Sequence, residues 1–168
     1  MLRQLMVLAL FAAVAALWPI DRASAHCQIP CGIYDDARQF DVIEEHAATI
    51  EKAMNKINEL SQATPVNYHM IARWTVNKEE HAQEVQDIAH AYFLTQRVKA
   101  KDPADAEAHA SYVTHVTLLH QILVAAMKCK QTTDPAHVAD LRRLALAFSG
   151  TYFSDEDLEH IREHHGGR

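Results

Sequence analysis

From residue 40 onward, apolar side chains return every three or four positions. Phe40, Ile43, Ala47, Ile50, Met54 and Ile57 form one seam, with Glu44, Glu45, Glu51, Lys52 and Lys56 between them. That spacing predicts an amphipathic helix with one buried face, ending near Ser61. Thr64-Pro65 reads as an N-cap followed by proline at the first helical position, so a second helix is expected from about Pro65 to Lys99. Ile71, Trp74, Val85, Ile88 and Tyr92 supply its inward face. Asp102-Pro103 repeats the start signal for a third helix, whose seam is Tyr112, Val116, Leu119, Leu123 and Ala126. Asp134-Pro135 opens a fourth, carrying Val138, Leu141, Ala145 and Phe148 and expected to end at Gly150. Ser154-x-x-Asp157 reads as the cap of a short terminal helix over about 154–165.

Long amphipathic helices joined by short connections pack as antiparallel neighbours. The expected fold is therefore all-α: an up-down four-helix bundle over about residues 36–153, preceded by an irregular N-terminal hook at 26–34. Scarce glycine and proline agree with it, as 168 residues hold only 4 and 5 of them. The net charge of −6 argues against a nucleic-acid partner, which calls for a basic face.

Residues 1–25 stand apart from this pattern. A short positive start containing Arg3 leads into an apolar run from Leu5 to Leu17, and Ala23-Ser24-Ala25 is an A-x-A cleavage site. The run falls short of the about 20 apolar residues that a comfortable membrane span needs. The expectation is a secretory signal peptide, a periplasmic or extracellular destination, and no stable membrane insertion after cleavage. Residues 26–168 then form the mature domain. Losing Arg3, Arg22 and Asp21 makes its charge balance more negative still.

Cleavage would expose His26-Cys27-Gln28-Ile29-Pro30-Cys31-Gly32-Ile33-Tyr34. A free α-amine, a histidine and two thiols then lie within six residues. Pro30 can bend the chain between the sulfurs, and Gly32 permits backbone angles that other residues resist. The His26 amine, the Cys27 amide nitrogen and the Cys27 sulfur can close adjacent chelate rings in one plane, with Cys31 completing the square. Such a plane suits Ni(II) or Cu(II), whereas structural zinc takes a tetrahedron. Thiolates tend to reduce Cu(II), which favours nickel. The His26 imidazole can cap the square axially. On cysteine count alone, a disulfide between Cys27 and Cys31 is the plainer expectation in an oxidising compartment.

The motif His-Cys-x-x-Pro-Cys-Gly-x-Tyr at a processed N-terminus resembles the nickel hook of the nickel superoxide dismutases. Six fixed positions have a chance frequency on the order of 10⁻⁸ per start point at about 5% usage per residue type. The resemblance implies a four-helix bundle, a nickel cofactor, superoxide as substrate and a homohexameric assembly. It makes His26, Cys27 and Cys31 the metal ligands and matches Pro30 to a cis-proline. Tyr34 takes the part of a tyrosine standing near the open axial face. Glu44 resembles a glutamate that supports the axial histidine, with Glu45 as a competing choice. An arginine of that network finds its local match at His81, within Lys78-Glu79-Glu80-His81-Ala82, and Gln28 stands where an aspartate is familiar.

The alternative is a periplasmic module that binds or carries nickel or copper without turnover. A di-iron bundle would require two inward Glu-x-x-His pairs, and the chain contains none. Of the 12 histidines, His46, His69, His90, His109, His115, His120 and His137 are expected on helix surfaces or as satisfied core residues. His160, His164 and His165 read as part of a solvated terminal helix. Cys129 reads as a structural or incidental thiol.

Overall fold

The computed structural model describes residues 32, 34–154 and 157. Four helical rods make up the described chain: α1 (Asp36–Ser61), α2 (Tyr68–Asp87), α3 (Ala106–Gln131) and α4 (Pro135–Tyr152). The second rod continues directly from α2 into a π-helical segment, Ile88–Arg97. Connections run over residues 62–67, 98–105 and 132–134. Sequential helices pack against one another, and α1 also packs on α4, so the four close into the expected bundle.

Each helix begins at a side-chain oxygen that accepts an otherwise unpaired amide. Asp35 takes the Arg38 amide, Asn67 that of Met70, Asp105 that of Ala108, and Asp134 that of Ala136. Two of the expected starts move. Pro65 follows a cis peptide bond, and Asn67 rather than Thr64 caps α2, so the helix begins at Tyr68. Asp102 spends its carboxylate on the Ala104 amide in a turn, which leaves Asp105 to cap α3. The Asp134-Pro135 start stands as read, with Pro135 in the first turn. Gly150 does not end α4, which runs on to Tyr152 before the Phe153 amide closes on the Ser149 carbonyl. Ser154 and Asp157 bond each other's amides reciprocally, as their spacing suggests.

The seams converge on one core of Ile43, Ile50, Met54, Val85, Phe93, Leu119, Ile122, Val138, Leu141 and Phe148. Phe40 is half-buried and stacks against Phe93 and Phe148, closing the end of the bundle where α1 starts. Cys129 is fully buried in the same core, and burial pushes its thiol up to about 11. Lys78 is the unexpected core residue, at 2% exposure. Its ammonium donates to the carbonyls of Cys129, Lys130 and Thr132, the last turn of α3, where the helix dipole presents negative charge. Burial pulls its pKa below the ordinary lysine value, with Glu79 opposing.

Candidate metal centre

The chain enters the bundle through Gly32, Tyr34 and the first turn of α1. Gly32 has φ of +86°, a left-handed conformation that favours glycine, next to Cys31. Tyr34 is half-buried. Its hydroxyl donates to Gln96 Oε1 at 3.5 Å, and its ring meets the Tyr92 ring edge-on at 5.8 Å between centroids. The Arg97 guanidinium lies over the same ring, 4.4 Å from its centroid.

Directly beneath is Asp36, the first residue of α1. It accepts from Tyr92 Oη at 2.7 Å, from Tyr152 Oη at 2.8 Å, and from Nε and Nη2 of Arg97. Burial alone would raise its pKa, but bonds from Arg97, Tyr92 and Tyr152 outweigh that and hold the carboxyl below its usual range. Burial, and after it the bond each makes to Asp36, pushes both tyrosine hydroxyls well above their ordinary values, with Arg97 opposing.

The π-helical winding makes this convergence possible. In a regular helix, residues five apart sit roughly 140° around the axis from each other. Bonds closing five residues apart, such as the Val98 amide to the Phe93 carbonyl at 2.8 Å, bring such residues onto one face. Tyr92 and Arg97 therefore reach the same carboxylate.

Of the sequence-derived site residues, His26, Cys27, Pro30 and Cys31 lie outside the described residues, as do Gln28, His160, His164 and His165. Tyr34 sits on the platform just described. Glu44 is bound by Arg142, whose Nε donates to it at 2.8 Å while Nη1 donates to Glu51 at 2.7 Å. Glu45 contributes its backbone carbonyl to Thr49. His81 of α2 faces His46 of α1, with their Nδ1 atoms 2.7 Å apart. Burial, then the neighbouring His81, lowers the pKa of His46, against the pull of Glu84 and Glu45. His115 is satisfied by the Thr151 carbonyl at 2.8 Å and packs on Phe148 and Tyr152. Among the described residues, no group of three or more His, Cys, Asp or Glu could hold a metal.

Sequence reading missed Asp36, Gln96, Arg97 and Tyr152. The π segment and the pairing of residues over a hundred positions apart have no periodic signature. An acidic residue at the first helical position complements the dipole of any helix, so nothing in the sequence marks Asp36 apart.

The imidazole of His26 and the thiols of Cys27 and Cys31 are a mixed donor set that fits nickel, and a glycine with positive φ follows the second thiol in sequence. The model of the family described as nickel-containing superoxide dismutase matches residues 21–156. The chain belongs to this nickel superoxide dismutase family. It is 30% identical over 118 residues to a protein from Streptomyces seoulensis named "Superoxide dismutase [Ni]", covering 70% of this chain and 78% of that one. No solved structure matches. Membership in the nickel superoxide dismutases makes the chain an oxidoreductase with a nickel cofactor, and sets aside the carrier without turnover.

Proposed function

We propose that the chain dismutes superoxide at a nickel ion held by its mature N-terminus. His26 would give its amine and imidazole, Cys27 its amide nitrogen and thiolate, and Cys31 the second thiolate. Family membership together with the His-Cys-x-x-Pro-Cys-Gly-x-Tyr stretch carries this reading. When bound, nickel supplies a one-electron couple between Ni(II) and Ni(III), so that two superoxide ions and two protons become dioxygen and hydrogen peroxide. The protein's own work is placement and access. Tyr34 stands on the ring of contacts from Tyr92, Gln96 and Arg97, and by the family resemblance its phenol would stand near the metal and screen small anions. With a net charge of −6, attraction of an anionic substrate must be local. Residues 1–25 would direct secretion to the periplasm or beyond, and their removal would free the His26 amine. A hexamer is the assembly we propose on the resemblance.

The deciding experiment uses protein that begins at His26, loaded with nickel and assayed for superoxide consumption. Activity should be present there and vanish when one extra residue precedes His26. Equal activity from the extended protein would remove the amine from the ligand set. Because amine and thiols must lose protons to bind, nickel uptake followed by dialysis should fail progressively below neutral pH.

A further inference from the structure

We infer that Arg97, locked by Asp36, positions Tyr34 for the dismutase reaction. This rests on the proposed place of Tyr34 beside the N-terminal hook.

Asp36 and Arg97 form a two-point ion pair, with Nη2 to Oδ2 at 2.6 Å and Nε to Oδ1 at 2.8 Å. Their side chains are only 14% and 30% exposed. Tyr92 and Tyr152 fill the remaining acceptor sites of the carboxylate. The guanidinium plane thus fixed becomes the floor for the Tyr34 ring, 4.4 Å above it. Four elements meet here: the entering chain, α1, the π segment and α4. Tyr34 is two residues from Asp36, so the pinned carboxylate also fixes where the entering chain begins. Lysine could keep the charge at position 97 but not the planar, two-point fork that also stacks.

The pair is internally neutral, which separates placement from attraction. A residue that draws the anionic substrate would lose its influence as salt screens it. A positioning residue would not.

The test compares Arg97→Ala and Arg97→Lys with the parent protein beginning at His26. In nickel-free protein, amide hydrogen exchange at residues 34–36 should quicken by roughly tenfold in Arg97→Ala, while α3 and the middle of α4 stay protected. Nickel content per chain should be unchanged. Superoxide consumption by the loaded protein should drop by roughly tenfold, by the same factor at low and high salt. Arg97→Lys should restore the overall urea midpoint but only part of the exchange protection and activity. If Arg97→Ala does not fold, the lysine variant decides alone through its exchange at residues 34–36.

Unchanged exchange there overturns the proposal, as does full rescue of activity by lysine, or a loss of activity that high salt erases. The exchange measurement needs neither nickel nor turnover. An inactive parent would count against the N-terminal metal site, while changed exchange would still report on the Arg97 platform.

Discussion

At the scale of single residues, a buried lysine and a half-buried histidine pair make opposite demands on the bundle. Lys78 is charged, almost wholly enclosed and satisfied by three backbone carbonyls at the end of α3. Replacing it with alanine strands those carbonyls, and Lys78→Ala should lose about 2–3 kcal/mol of unfolding free energy in a urea titration. His46 and His81 instead share one facing position at 2.7 Å, which cannot hold a proton on both nitrogens. The folded chain depresses the His46 pKa, so the unfolded chain binds more protons below the unfolded histidine value of about 6.5. Stability should therefore be full near neutrality and decline as pH falls from about 6.5 toward the lower folded pKa. Urea midpoints between neutrality and pH 5 check this, and the slope should flatten in His46→Gln. Glu84 and Glu45, the carboxylates near the pair, soften the effect without reversing it.

At the scale of elements, the caps and the π segment carry different kinds of information. Asp134 caps α4 by accepting the Ala136 amide at 2.9 Å. Asp134→Ala should cost about 1 kcal/mol of stability, read from thermal or urea unfolding, with the fold unchanged. That start was legible because Asp-Pro is a local signal. The seams through Ile43, Val85, Leu119 and Leu141 were legible for a similar reason, since burial every three or four residues leaves a periodic trace. The starts of α2 and α3 were misplaced where two candidate caps lie within a few residues and only one meets the helix amides. The π winding over Ile88–Arg97 left no trace, because its geometry answers contacts made by distant Asp36 and Tyr152. For the candidate site the balance differs: the proposed donor residues lie within one short stretch, so the sequence alone suggests them. The floor beneath Tyr34 is assembled from three separate parts of the chain, and the sequence does not suggest it.

At the scale of the whole molecule, membership in the nickel superoxide dismutases goes with a helical bundle whose core is closely packed. The interior is filled by side chains such as Phe93 and Phe148, which agrees with the proposed placement of the chemistry on the segment before Tyr34. This division makes Cys129 useful. Its thiol is at 0% exposure and burial raises its pKa to about 11, so it is shut off from alkylating reagents while the bundle stays folded. Reduced, nickel-free protein beginning at His26 should then keep one sulfur, that of Cys129, unlabelled when native and yield it only in denaturant. Intact mass after brief alkylation would show it, and three fast sulfurs in the native protein would contradict the enclosure of Cys129. The chain carries its own internal standard, a silent thiol against which the redox state of the other two can be counted.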